Sequence, residues 1–192
     1  DLWRTTEDIV DTWNSMAGIG FAQLPAAKYS GPSSWNDPDM MVLGKVGWSK
    51  NVRPNRLTGN EQITHMTLWT MLAAPLILGC DLTQLDDFTK ALLTNHEVIE
   101  INQDPLGRGP KKVWSEGDLE VWTRPLHDGS TAVALFNRGP ERERFQLGWP
   151  QIRLPKPRRL MDCWQAKEAS VEAAGLSRVV PGHGSMLFRV WN

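Results

Sequence analysis

The stretch Leu76-Ile77-Leu78-Gly79-Cys80 decides the fold class of the first half of this chain. It is a short, continuous apolar run, which is typical of a strand buried on both faces of a parallel sheet. Pro75 separates it from the segment Asn60 to Ala73, which carries Ile63 and Met66 on one stripe and predicts an amphipathic helix. A helix followed by a buried strand is the alternation of an α/β fold.

Other segments of the first half also have helical patterns. Asp8 to Ile19 predicts a helix that is capped at Thr5, Thr6 or Asp8, and Gly18 and Gly20 are expected to end it. Asp86 to Leu93 predicts a third helix. Thr94-Asn95-His96-Glu97 fits a capping box, with Thr94 as the cap, for a fourth.

The pattern changes at Gln103-Asp104-Pro105-Leu106-Gly107. Beyond it, short strand-like segments separated by Pro- and Gly-rich turns are typical of an antiparallel sandwich. These segments are Lys111 to Trp114, Leu119 to Arg124, Thr131 to Asn137, Arg144 to Leu147, Arg159 to Cys163, Arg178 to Val180 and Ser185 to Trp191. The sequence therefore predicts two domains, residues 1–105 and residues 106–192.

Composition restricts the classes of partner. The chain has 192 residues, of which 41% are hydrophobic and 22% charged, as in ordinary globular proteins. Its net charge is -1, so we expect no nucleic-acid or anionic lipid partner. No apolar run approaches the roughly 18 residues that suggest a membrane span. Cys80 and Cys163 are too few for a disulfide framework. The chain opens at Asp1 rather than at Met, so we expect a processed or truncated N-terminus, and a signal peptide is not visible. For the location, we expect a secreted or periplasmic protein.

Two segments combine acids with aromatic residues: Trp3-Arg4-Thr5-Thr6-Glu7-Asp8 and Trp35-Asn36-Asp37-Pro38-Asp39-Met40. A purely structural interpretation is available for each. The first fits a capping box with an exposed Arg4–Asp8 ion pair, and the second fits an Asx turn before or at Pro38. The residues alone leave open whether these are structural turns or functional loops at strand ends.

Four motifs carry a family resemblance. They are Trp3 to Ile9, Ser34 to Met40, Ala74 to Asp81 and Ile101 to Gly107. In order and spacing they resemble the α-galactosidase (melibiase) family of retaining glycoside hydrolases. The resemblance implies α/β plus all-β architecture: the C-terminal part of a (β/α)8 barrel followed by an antiparallel β-sandwich. A full barrel takes about 250 residues, so strands one to five are expected upstream of Asp1.

The resemblance also implies a set of site residues. Retaining glycosidases use one carboxylate as nucleophile and a second carboxyl group as acid and then base. Asp8 matches the acid/base, Arg4 a residue that binds the sugar near its 2-hydroxyl, and Asp39 and Met40 positions that line the sugar pocket. To hold a proton near neutral pH, Asp8 should be partly buried or lie near another carboxylate. The substrate would be a galactoside oligosaccharide or polysaccharide with a terminal α-D-galactosyl residue.

Other features limit this interpretation. The family nucleophile lies in a Lys-x-Asp segment that does not occur in these 192 residues, so we expect it upstream and expect the chain alone to be inactive. No cofactor or metal is expected, because the histidines are scattered without ligand spacing and are expected at the surface or in turns: His65, His96, His127 and His183. Each of Trp114, Trp122 and Trp149 is expected to pack in the sandwich rather than to bind sugar.

Alternative functions remain open at this point. One is a non-catalytic carbohydrate-binding or structural fragment in which the sandwich is the functional unit. Others are the neighbouring specificities of α-N-acetylgalactosaminidase and β-L-arabinopyranosidase, which a loop outside this sequence would decide.

Overall fold

The computed structural model describes residues 1–47 and 51–192. The α-helices are α1 (Trp13–Ala22), α2 (Gly59–Leu72), α3 (Asp87–Leu93) and α4 (His96–Asn102). Single 3-10 segments occupy Leu24–Tyr29, Leu82–Gln84 and Trp149–Ile152. Within the described ranges, none of the helices has the length and apolar character needed to cross a bilayer.

A small parallel arrangement lies at the start of the chain. Strand β1 (Leu2–Arg4) pairs in parallel with β2 (Trp35–Asp37), and the register sets Arg4 opposite Asp37. Further along, Met41 forms a parallel bridge with Leu78. The predicted strand at Leu76–Cys80 is one bridged position in the described residues, and the expected burial on both faces is wrong, because Ile77 is 42% and Leu78 39% exposed. Its one parallel neighbour among the described residues is the segment at Met41, so nothing there covers the other side. A hairpin of β3 (Lys45–Val46) and β4 (Arg53–Pro54) follows β2.

Helix α1 differs from its prediction at both ends. It starts after Thr12, whose side chain accepts from the backbone N–H of Ser15, and not at the expected caps Thr5, Thr6 or Asp8. The reason is that residues 5–11 make tertiary hydrogen bonds that a helix would break. The helix also runs through Gly18 and Gly20. A Cβ on Gly20 would lie 2.9 Å from Leu68 Cδ1, so this glycine permits close packing of α1 on α2 rather than ending α1.

Helix α2 confirms its prediction to within a residue at each end. Thr58 and Glu61 form a reciprocal capping box, and Ala73 closes the helix in the left-handed conformation at φ 51°. The predicted cap of α4 is wrong. Asn95, not Thr94, accepts from the first turn, because the Asn95 amide also donates to the carbonyl of Cys163 and is held there.

The second half contains all seven predicted strands and one short additional strand. Their bounds are β5 (Lys111–Glu116), β6 (Leu119–Pro125), β7 (Thr131–Asn137), β8 (Glu143–Leu147), β9 (Arg159–Asp162), β10 (Lys167–Glu168), β11 (Leu176–Val180) and β12 (Ser185–Trp191). Six of them form an antiparallel sheet in the order β10-β9-β12-β7-β6-β5, and β11 and β8 form a second antiparallel pair.

The central strands of the six-stranded sheet, β6, β7 and β12, are buried on both faces. On one face, Trp122 and Phe136 join the hydrophobic cluster that contains Trp69 of α2. On the other face, Val121 and Leu135 join the cluster between the two sheets. Alternate residues of β6 and β7 thus pack in opposite directions, as the period of a strand requires. The helical half packs directly on the sandwich.

Polar contacts also cross this junction. The carbonyl of His183 accepts from Thr64 Oγ1 at 2.8 Å, and His183 Nδ1 lies 2.8 Å from Glu61 Oε1. Arg124 Nη1 of β6 donates to the carbonyl of Thr70 at 2.7 Å. The expectation of surface or turn histidines is wrong for His65, which is fully buried in α2; burial lowers its pKa to about 3.

Candidate active site

The candidate site lies beyond the carboxyl ends of β1 and β2. The two strands run in parallel, so the segments that leave them emerge at the same edge. The backbone N–H of Thr5 donates to the carbonyl of Asp37 at 2.9 Å and extends this pairing by one residue. Arg4 therefore stands at the end of one strand, and Asp39 follows two residues after the end of the other.

A single nitrogen of Arg4 joins the two carboxylates that the sequence singled out. Arg4 Nη2 lies 3.0 Å from Asp8 Oδ1 and 2.7 Å from Asp39 Oδ2. Asp8 and Asp39 thus face the same space from two different segments. The structure brings Arg4, Asp8 and Asp39 together. Their catalytic and sugar-binding roles stay predictions.

The Asp39 carboxylate is held from several sides. Its Oδ2 also accepts from the backbone N–H of Ile9 at 2.8 Å, and its Oδ1 accepts from the N–H of Met40 at 2.7 Å. The residue is 9% exposed, and its carbonyl accepts from Trp69 Nε1. Three protein donors therefore bind the two oxygens of this carboxylate. Its clearest role in the described residues is to hold Arg4 and Ile9.

A tight turn aims Asp39 at Arg4. Asp37 Oδ1 accepts from the N–H of Asp39 at 2.8 Å, which is the Asx turn that the sequence offers around Pro38. Asp39 itself has φ 86°, a left-handed conformation that aspartate tolerates better than most residues. The structural and the functional interpretations of this motif are compatible, because the turn sets the direction of the carboxylate.

Met40 is partly buried beside residues 77–79, which form the parallel bridge between Leu78 and Met41. A Cβ built on Gly79 would lie 2.6 Å from Met40 Sδ, so the thioether rests against the bare backbone of Gly79. Met40 thus lies between the end of β2 and the bridge at Leu78. Only a residue without a side chain at position 79 leaves space for this placement.

Asp8 itself is open to solvent. Its side chain is 97% exposed, and Arg4 holds it from one side. The described residues do not bury it as the role of a proton donor requires, and the second carboxylate they bring near it is Asp39, through the shared guanidinium. This exposure leaves the Asp8 oxygens accessible to a molecule that approaches from outside.

Sequence reasoning missed a buried carboxylate close to Asp8. The side chain of Asp11 is 1% exposed and forms ion pairs with Arg53 at 2.7 Å and Arg56 at 2.8 Å. Burial alone would raise the pKa of Asp11, but the hydrogen bonds from both arginines outweigh it and hold the pKa well below its usual range. The sequence signal for this cluster is the pair Arg53 and Arg56 on either side of Pro54 and Asn55, and it does not indicate which carboxylate the arginines bind.

The tryptophans of the sandwich differ in burial. Trp122 and Trp149 are buried in the core. Trp114 is partly buried and lines a cleft of about 550 Å³ together with Glu116 and Gln146. Across residues 1–47 and 51–192, no three His, Cys, Asp or Glu side chains are grouped so as to hold a metal ion.

Family models match both halves of the chain. Residues 1–104 match the model described as alpha galactosidase A, and residues 116–190 match the model of the alpha galactosidase C-terminal beta sandwich domain. The first model alone covers more than half of the chain.

Curated relatives agree with this match. An alpha-galactosidase of Cyamopsis tetragonoloba is 39% identical over 188 residues, which are 97% of this chain and 44% of the relative. Alpha-galactosidase 2 of Arabidopsis thaliana is 40% identical over 188 residues, 97% of this chain and 45% of the relative. The chain thus spans slightly less than half the length of these relatives.

Solved structures share the fold. A GH27 β-L-arabinopyranosidase from Geobacillus stearothermophilus superposes with a TM-score of 0.90 at 31% identity, covering 100% of this chain and 45% of that one. Alpha-galactosidase I from Mortierella vinacea superposes with a TM-score of 0.86 at 25% identity, covering 98% of this chain and 52% of that one. The expected fold class, part of a barrel followed by a β-sandwich, is confirmed. With residues 1–104 matched to one family model and the sandwich to a second, the chain belongs to the alpha-galactosidase family.

Proposed function

We propose that this chain supplies the acid/base part of an enzyme that hydrolyses terminal α-D-galactosyl residues by a retaining double displacement. The observation that supports this most is the contact of Arg4 Nη2 with both Asp8 and Asp39, beyond the ends of parallel strands, with the Asp8 side chain 97% exposed. Arg4 holds one Asp8 oxygen, Oδ1, and the exposed carboxyl group can reach the oxygen of a glycosidic bond.

Asp8 acts twice in this mechanism. In the first step it gives its proton to the leaving oxygen while the nucleophile attacks the anomeric carbon, and in the second it takes a proton from water. Arg4 is 38% exposed and its guanidinium carries more donors than the two contacts use, so it can also donate to a sugar hydroxyl near C2. Asp39 keeps the guanidinium at this position, and Met40 supplies an apolar wall.

The nucleophile comes from polypeptide outside this sequence. The chain spans 44% of the Cyamopsis tetragonoloba relative, and no Lys-x-Asp segment occurs within it. We propose residues 1–105 as its part of the catalytic barrel and residues 106–192 as the sandwich domain that packs on it. The activity therefore belongs to a polypeptide or assembly that also contains the nucleophile.

The test uses the natural polypeptide that contains residues 1–192, assayed on melibiose and on 2,4-dinitrophenyl α-galactoside. Asp8→Asn should lower kcat/KM on melibiose by about 10²–10⁴-fold, since that leaving group needs a proton. The loss on the dinitrophenyl substrate should be much smaller, since its leaving group departs as an anion. Glu7→Gln, a change at the adjacent exposed carboxylate, is the matched control and should keep both activities. Equal losses on both substrates for Asp8→Asn would contradict the acid role.

A second specificity has one specific observation in its favour. A GH27 β-L-arabinopyranosidase superposes on the whole chain with a TM-score of 0.90. L-Arabinopyranose has the ring hydroxyl arrangement of galactose without the hydroxymethyl group at C5. Comparison of p-nitrophenyl α-galactoside with p-nitrophenyl β-L-arabinopyranoside separates the two: a higher kcat/KM on the arabinoside would replace galactoside hydrolysis as the main activity. Binding of galactose with hydrolysis of neither substrate would indicate a non-catalytic carbohydrate-binding protein.

A further inference from the structure

The buried carboxylate of Asp11 is an unusually complete acceptor. Its Oδ2 accepts from Arg53 Nη1 at 2.7 Å and from the backbone N–H of Arg56 at 2.8 Å. Its Oδ1 accepts from Arg53 Nη2 at 3.0 Å and from Arg56 Nη2 at 2.8 Å and Nε at 3.2 Å. Two guanidinium groups, each in a two-point contact, thus converge on one carboxylate that is 1% exposed.

These contacts join two segments that are far apart in sequence. One is residues 5–12, here named the acid loop, which carries Asp8. The other is residues 51–57, here named the arginine loop, which includes β4. Arg53 and Arg56 are 42 and 45 positions from Asp11. The arginine loop is also tied to the segment after Asp39, because Asn55 donates to the carbonyl of Gly44 from both its backbone N–H and its side chain.

Asp8 lies next to two fixed points on the acid loop. One residue later, the N–H of Ile9 donates to Asp39 Oδ2, and its side chain is 1% exposed in the core. Three residues later, Asp11 is held by the two arginines. The Asp8 side chain is almost fully exposed, so packing around it cannot set its position. Its position is set instead by the ion pair with Arg4 and by the backbone on its C-terminal side.

We infer that Asp11 is a positioning residue for Asp8, and that Arg53 and Arg56 fix the acid loop through it. The inference rests on the proposed function, in which Asp8 transfers the proton. Asp39 binds Arg4 and the N–H of Ile9, and Asp11 is bound by Arg53 and Arg56 three residues after Asp8, so the acid loop has anchors before and after Asp8. Displacement of a catalytic group by about 1 Å can cost about 10²-fold in rate, so this anchor is expected to matter for proton transfer.

The experiment compares variants of the natural polypeptide on two leaving groups. Asp11→Asn keeps the shape of the side chain and removes its charge, and Arg56→Lys is a milder change that keeps the charge and removes the two-point contact. Asp128→Asn is the matched control, because Asp128 also accepts from an arginine and from a backbone N–H but lies in the sandwich. Hydrolysis of melibiose and of 2,4-dinitrophenyl α-galactoside is measured for each.

The positioning role has a distinct kinetic result. Asp11→Asn should lower kcat/KM on melibiose by about 10–100-fold and kcat/KM on the dinitrophenyl substrate by less than about 3-fold, because kcat/KM reports the first step, in which only the poorer leaving group needs a proton from Asp8. Arg56→Lys should show the same selectivity to a smaller degree and remains informative if Asp11→Asn does not fold. A purely structural role of Asp11 would reduce both activities equally, as expected for a smaller folded fraction, and would overturn the inference.

A second measurement does not depend on hydrolysis. Amide hydrogen exchange in residues 5–12 should be at least about tenfold faster in Asp11→Asn than in the native protein, and unchanged in Asp128→Asn. Unchanged exchange of the acid loop in Asp11→Asn would overturn the inference even if activity fell. If the native protein cleaves neither substrate, the proposed function fails, whereas the exchange result still decides whether Asp11 anchors the loop that carries Asp8.

Discussion

Asp39→Asn isolates the charge of the buried carboxylate that holds Arg4. Asparagine has the same shape as aspartate and also tolerates the left-handed conformation, φ 86°, of this position. The backbone of the variant therefore has no new strain. What changes is that one of two acceptor oxygens becomes an NH₂ donor.

The cost follows from the donors around the carboxylate. Arg4 Nη2 and the N–H of Ile9 point at Oδ2, and the N–H of Met40 points at Oδ1. Either orientation of the amide sets its NH₂ against at least one of these donors. A buried donor without an acceptor costs about 1–3 kcal/mol. The lost ion pair with Arg4 adds less, because the Arg4 side chain is 38% exposed and solvent screens it. We expect a total of about 2–3 kcal/mol.

The assay measures local stability in the natural polypeptide. Amide hydrogen exchange reports the free energy of the opening that exposes the N–H of Ile9, and a loss of about 2 kcal/mol would speed its exchange about 30-fold. Asp37→Asn is the control. Asp37 Oδ1 accepts one bond, from the N–H of Asp39, and an amide oxygen can accept it equally well. A change below about 0.5 kcal/mol at Ile9 in Asp39→Asn would refute the role assigned to this charge.

Two further predictions concern the helical half. Gly18→Ala, where an added Cβ meets no atom within 4 Å, should stabilise the protein by about 0.5–1 kcal/mol, and Gly20→Ala, whose Cβ would lie 2.9 Å from Leu68, should destabilise it by about 1–3 kcal/mol in urea unfolding. Opposite signs test the packing explanation, and two stabilising changes would contradict it. Burial lowers the pKa of His65 to about 3 in the folded protein, from 6.5 in the unfolded chain. The stability that neutral His65 contributes is therefore complete above pH 6.5 and is lost as the pH falls towards 3. His65→Leu should therefore reduce the loss of unfolding free energy between pH 7 and pH 5 by about 2 kcal/mol, and an identical loss in both proteins would refute this.

The sequence predicts those parts of the fold in which local pattern and tertiary packing agree. Short strand-like segments between Pro- and Gly-rich turns predict the sandwich, and in the structure alternate residues of β6 and β7 enter the two hydrophobic clusters, as the period of a strand requires. Helix α2 has a strong local cap at Thr58. The predicted start of helix α1 is wrong because the residues before Thr12 are used in hydrogen bonds to distant segments. No local pattern contains that information.

The candidate site divides in the same way. Motifs in the sequence indicate Arg4, Asp8, Asp39 and Met40, because each lies in a short run that the family resemblance covers. The cluster at Asp11 could not be predicted, since its partners lie more than 40 positions away and only the fold brings them together. An aspartate just before a helix is otherwise interpreted as a cap.

The parallel register explains why Arg4 serves both carboxylates. Since Arg4 is opposite Asp37, the chain that leaves β2 must turn within two residues for Asp39 to reach back to the guanidinium. Pro38 and the positive φ of Asp39 make this turn, and the bond from Asp39 N–H to Asp37 Oδ1 closes it. The same turn sets the Asp39 carboxylate where the N–H of Ile9 can donate to it. The position of the acid loop is therefore a consequence of the strand register, and a one-residue slip of β2 would separate Asp39 from both of its donors on that side.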